Sequence, residues 1–196
     1  MRKGEKSKLE MIQVAIELFS EHGFQNTSFQ MIGKRIGKSH VSIIHHFKNK
    51  NNLLKEIINY IFTHVSQMVQ SKSSPSDDAY DVLLKNMQAN FEWCRDFPKE
   101  SCLVMLMYYS STHNDELKAV YKHLLTLSRS KYETIIEQGV REGVFKQQRE
   151  PKVTAQMVQE IMIGTLVNYM AVPELADEES VWGKWNYFMK ELLLIS

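Results

Sequence analysis

The chain has 196 residues, 43% of them hydrophobic and 24% charged, with a net charge of +1. These are the proportions of an ordinary soluble globular protein of one medium domain or two small ones. No apolar run approaches the roughly 18 to 20 residues that span a bilayer, and no signal-type apolar segment follows the basic start, so a cytoplasmic protein is expected.

The small net charge hides an asymmetry. Residues 1 to 50 hold nine Lys or Arg against four acids, a net +5, which leaves −4 for the remainder. Positive charge at one end is what a polyanionic partner would meet. Only four prolines punctuate the chain and no stretch alternates apolar and polar residues, which predicts an all-α protein of about nine helices.

In chain order, the first informative element runs from Thr27. Thr27 followed by Gln30 predicts a capping box, and Phe29, Ile32 and Ile36 recur at helical spacing until Gly37. Ser39 is the expected N-cap of a second short helix. Ile43 and Phe47, four apart, are expected to face the first helix, with His40, Val41, Ile44 and His45 projecting away. Lys48 and Lys50 follow as a pair suited to phosphates. Two capped helices joined by a glycine turn are the grammar of a helix placed in the major groove of DNA. The DNA-contacting residues expected from this segment are Thr27, Ser28, Lys38, Ser39, His40, Val41, Ser42, Ile44, His45, His46, Lys48 and Lys50.

After the turn, Asn51 or Asn52 opens a long helix on Leu53, Leu54, Ile57, Ile58, Ile61 and Phe62 that stops near Ser71 to Pro75. Residues 76 to 96 form the next, Cys102 to Ser110 a short one after Pro98, and Asp115 to Glu142 a long one loosened at its end by Gly139 and Gly143. Two helices close the chain, Pro151 to Val172 and Glu178 to about Ile195. Their apolar stripes are broader than a single core face requires, which predicts burial on two sides. Met and aromatic residues concentrate in the middle helices. Such residues form plain core or line an adaptable apolar cavity, and Phe62, Met87, Phe91, Met105, Tyr108 and Tyr109 are the candidates for lining one.

The other chemistry is sparse. Cys94 and Cys102 flank Phe97 and Pro98; they are inert thiols or, alternatively, a redox pair across that bend. His40 and His45 are five apart and His45 and His46 adjacent, neither being the i, i+4 pairing of a helical zinc site, so no metal or other cofactor is expected. A phosphate loop, a nucleophile elbow and paired acids are all missing from the sequence, so an enzyme is not expected.

The spacing then supports a family. Ala15, Leu18, Phe19, Gly23, Thr27, Ile32, Gly37, Ser39, His46, Phe47 and Lys50 stand in the order and at the gaps of the N-terminal domain of TetR-type (tetracycline-repressor-like) transcriptional regulators, which residues 9 to 54 resemble. The resemblance implies a three-helix helix-turn-helix domain over residues 1–50 and a helical effector-binding and dimerisation domain over 51–196. It also implies a homodimer through the last two helices, an apolar or aromatic effector held among the middle helices, and a near-palindromic double-stranded DNA operator. Its half-sites would lie about one helical turn, roughly 34 Å, apart or modestly more. The chain departs from the pattern at Gly33, Ile36, Lys38, Val41 and Ile44, the last standing where the family commonly carries a phosphate-contacting tyrosine. Those departures open a second reading, a helical small-molecule sensor or interaction protein of the same fold without sequence-specific DNA binding.

Overall fold

The computed structural model describes residues 3–146, 149–175 and 178–193. Every regular element among them is helical: α1 Lys3–His22, α2 Phe29–Arg35, α3 His40–Phe47, α4 Lys50–Lys72, α5 Ala79–Asp96, α6 Pro98–Ser111, α7 Asp115–Arg141, α8 Pro151–Ala171 and α9 Glu178–Leu193, with a 3-10 turn at Pro173–Leu175. The all-α reading, with nine helices among the described residues, is what the structure has. None of these helices is long and apolar enough to cross a membrane.

Local chemistry sets most helix starts. Asn49 Oδ1 accepts from the Asn52 amide at 2.8 Å to open α4, and Asn114 Oδ1 does the same for Leu117 at 3.0 Å in α7. Pro98 and Pro151 occupy first-turn positions, where a missing N–H is no loss. Two boundaries differ from expectation. Helix α5 starts at Ala79, not residue 76, because Ser74 and Asp77 close a turn (2.7 Å) and Asp78 caps the Asp81 amide (2.9 Å). Helix α6 starts at Pro98, four residues before Cys102, since proline is an initiator here and not a spacer.

The chain forms two compact units, residues 1–64 with 97–121, and residues 65–96 with 122–196. This division does not follow the boundary at residue 50 expected for functional domains. The reason is the first half of α4, where Leu53, Leu54, Ile57, Ile58 and Ile61 are wholly buried and belong to the first unit's core. In that unit α1 packs on both α2 and α6, and α2 on α3. Met11, Ile12, Ala15, Ile16, Leu18 and Phe19 give α1 its buried stripe.

In the second unit α8 contacts α5, the 3-10 turn and α9. Its core joins Leu83, Met87, Phe91, Tyr132, Ile136, Val158, Met162, Trp185 and Met189. Gly139 does not loosen α7; a side chain there would run into the Phe145 ring and Ala79, so the glycine lets the following loop pack against the helix.

Candidate nucleic-acid interface

The turn between α2 and α3 is fixed by backbone geometry. Gly37 takes φ +66°, a left-handed conformation that glycine adopts freely, and the Lys38 amide donates to the Gly33 carbonyl at 2.8 Å. A Cβ on Gly33 would lie 2.5 Å from the Lys38 carbonyl oxygen, so this close crossing requires a glycine. The Ser39 hydroxyl caps α3 by accepting from the Ser42 amide at 3.3 Å. Ile43 and Phe47, buried to 0% and 1% exposure, anchor the inner face. The opposite face carries His40, Val41, Ile44 and His45, all exposed, with Val41 at 61% and Ile44 at 42%.

Several residues expected at the DNA surface serve the fold instead. Thr27 is not the N-cap of α2; Ser28 is, accepting from the Met31 amide at 3.2 Å. Thr27 is 1% exposed, and its hydroxyl bridges the carbonyls of Leu18 and Gly23, each at 3.0 Å. It ties the interhelical loop to the end of α1, where it cannot reach a phosphate.

Lys50 behaves similarly. Its ammonium donates to the Phe24 and Gln25 carbonyls at 2.8 and 2.9 Å and sits 4.9 Å from the centre of the Phe24 ring. Lys38 donates to the Ser7 hydroxyl and pairs with Glu10 at 3.6 Å, which ties it to α1. Ser42 is half-buried on the flank of α3.

Lys8 pairs with Glu56 at 2.8 Å, and Arg35 with Glu21 at 3.2 Å. Lys6, Lys34 and Lys48 are exposed. Lys34 stands in the last turn of α2 and belongs to the N-terminal charge excess. His46 is half-buried beside His45, their rings 5.8 Å apart. Burial first, then the charges of His45, Lys38 and Lys8, hold its imidazole below the ordinary value of 6.5. That shift favours the neutral imidazole.

The effector candidates do not gather in one unit. Phe62, Met105, Tyr108 and Tyr109 belong to the first and Met87 and Phe91 to the second. Tyr109 is 67% exposed and so lines no enclosed space, whereas Met87 and Phe91 are buried, Phe91 between the rings of Tyr169 (4.5 Å) and Trp182 (5.8 Å). What sequence reading missed in the second unit is its buried polar chemistry. The Tyr132 hydroxyl lies 3.2 Å from Asn86 Oδ1, Arg129 Nε donates to Gln159 Oε1 at 3.1 Å, and Gln159 Nε2 donates to the Leu125 carbonyl at 2.9 Å. The Asn86 amide nitrogen, buried with it, has no acceptor among the described residues.

Cys94 is buried, its thiol pushed up to about 12 by that burial, and Cys102 is exposed; both are free. Among the described residues no group of three His, Cys, Asp or Glu is placed to hold a metal.

A short helix with an exposed outer face, braced by a glycine turn against α2 and accompanied by exposed lysines, defines an N-terminal helix-turn-helix in a fold whose described elements are all helical. Residues 11–57 match the model of the bacterial regulatory proteins of the tetR family. It is 24% identical over 123 residues to IcaR, the HTH-type negative transcriptional regulator of the biofilm operon icaADBC of Staphylococcus aureus. That match takes in 63% of this chain and spans 64% of the relative's length. The fold is shared with a TetR transcription regulator of Haloarcula marismortui (TM-score 0.81, 16% identity, 96% and 97% of the two chains). It is shared too with SmeT, the repressor of the Stenotrophomonas maltophilia multidrug efflux pump SmeDEF, in its triclosan complex (TM-score 0.73, 23% identity, 88% and 84%).

Proposed function

We propose that this chain is a sequence-specific transcriptional repressor that binds a near-palindromic operator as a homodimer and is released by a small molecule. The observation that carries the reading is the outer face of α3: four exposed side chains on a helix braced by its turn, which lies in the chain between the exposed Lys34 and Lys48. Side chains on such a helix are placed for base edges, and the lysines beside it for phosphates. Ser28, Ser39 and Ser42 lie at helix starts nearby and complete the proposed contact surface. The relatives named above are regulators and not enzymes, which supports a non-catalytic role.

The dimer reading rests on α8 and α9. Residues 161 to 172 contain no Asp, Glu, Lys or Arg. Ile161, Thr165, Asn168 and Val172 line a groove of about 500 Å³ with Val181, Lys184, Trp185 and Phe188. The indole N–H of Trp185 is buried with no acceptor among the described residues, and an unsatisfied donor of that kind costs roughly 1–3 kcal/mol. A side chain at exposed Gly164 would meet nothing within 4 Å, so no neighbour in the protomer requires a glycine. A second copy on this face, related by a dyad, accounts for the uncharged run, the groove and the exposed glycine.

For the effector we propose an apolar or aromatic compound in the second unit, beside Met87 and Phe91, with an acceptor for the orphaned Asn86 amide. SmeT was solved with triclosan, a precedent for such chemistry in this fold.

Selection from random duplexes with the intact protein tests the function: one enriched near-palindrome is the expected result. The internal engagement of Lys38 and Lys50 favours the second reading, a sensor of this fold without an operator. Binding that depends on salt but is blind to sequence would establish that reading instead.

A further inference from the structure

The exposed face of α3 lacks the side chains that usually read bases. Guanine is read most often by Arg or Lys and adenine by Asn or Gln. The helix, His-Val-Ser-Ile-Ile-His-His-Phe, contains none of them. What it turns outward are two branched aliphatics, Val41 and Ile44, bracketed by the imidazoles of His40 and His45.

An aliphatic side chain held in water gains from covering apolar surface, and the major groove offers one apolar feature, the C5-methyl of thymine. Val41 and Ile44 are three residues apart, hence on one face and separated by about 4.5 Å along the helix axis. That is close to the 3.4 Å step between base pairs. Charge decides the occupant. Lys34 and Lys48 are exposed cations on this part of the molecule, which suits a polyanion and opposes a second copy of the same cationic surface.

We propose that Val41 and Ile44 read the methyl groups of thymines in neighbouring base pairs of each half-site, so that operator choice rests on apolar contact. His40 and His45 lie alongside as hydrogen-bonding partners for the flanking base edges. The inference rests on the DNA-binding reading above and specifies its chemistry.

Deoxyuridine supplies the test, since it pairs like thymidine and lacks only the methyl group. The operator is first selected from random duplexes, then resynthesised with single thymine-to-uracil replacements and titrated with the full chain. Two neighbouring positions per half-site should each weaken binding about fourfold, the equivalent of roughly 0.8 kcal/mol for a group of methyl size. Val41→Ala should erase the sensitivity at one position and Ile44→Ala at the other; both sites are exposed, and unchanged melting curves would verify the fold. An enriched operator indifferent to uracil everywhere overturns the inference while leaving the repressor reading intact. So does a methyl sensitivity that survives both substitutions. Failure to enrich any sequence overturns the repressor reading, and this inference with it.

Discussion

Helices α3 and α8 both leave aliphatic side chains in water, but in opposite company. On α3 the exposed apolar surface is two side chains wide, in the company of imidazoles and exposed lysines, and backed by a turn whose Ile36, Gly37 and Lys38 amides donate to carbonyls of α2. Along α8 and the residue after it, positions 161–172 carry no charged side chain, with Val172 exposed and Ile161 half-buried in a groove that Lys184 also lines. Exposed hydrophobicity alone does not name a partner. Its rim does: cations around a small apolar point suit a nucleic acid, and an uncharged stripe suits another copy of itself.

The largest effect should come from placing charge on that stripe. Thr165→Glu would put two carboxylates near a dyad, and like charges juxtaposed at an interface cost several kcal/mol. Sedimentation should then report a species of 22.9 kDa where the parent runs at twice that mass. A variant that remains dimeric would place the interface elsewhere.

Gly33→Ala comes next. The added methyl would meet the Lys38 carbonyl at 2.5 Å, an overpacking worth about 2 kcal/mol, read as a lower urea midpoint together with lost operator binding. Separating the two lysines that follow α3 is a finer cut. Lys50→Ala should lower stability by about 1–2 kcal/mol through its two carbonyl bonds. Lys48→Ala should leave stability unchanged and reduce the salt slope of DNA binding by about one. Exchange of those two behaviours would contradict the placement of both side chains.

The smallest effect concerns His46. Folding lowers its pKa, so below about 6.5 the unfolded chain binds more protons than the folded one, and stability falls as the pH drops through that value. His46→Gln should therefore narrow the difference in urea midpoint between pH 7.5 and pH 5.5. An unaltered difference would show that the imidazole titrates alike in both states.

The helix-turn-helix was legible because its signals are local. A cap, a positive-φ glycine and two apolar anchors four residues apart each act over one turn of chain, and Ser39, Gly37, Ile43 and Phe47 all took the positions their types suggest. Assigning cations to phosphate was not legible. Lys38 and Lys50 find their partners 31 and 25–26 residues away, on surfaces that exist only once α1 and its loop have folded. Thr27 failed for a related reason: its two acceptors are carbonyls at the end of α1, and the capping role passed to the next hydroxyl. The buried polar group around Tyr132 draws on α5, α7 and α8, and no periodicity within one helix announces it.

The exposed diamond of residues 40, 41, 44 and 45 has a consequence for how such a protein can change. Because the scaffold is secured by Thr27, Gly33, Gly37 and Lys50, none of which belongs to that diamond, the four outward positions can be rewritten without loosening the helix that carries them. A set of variants differing only there should keep one melting temperature while preferring different DNA. The same separation would let a duplicated copy drift to new targets without first losing its fold.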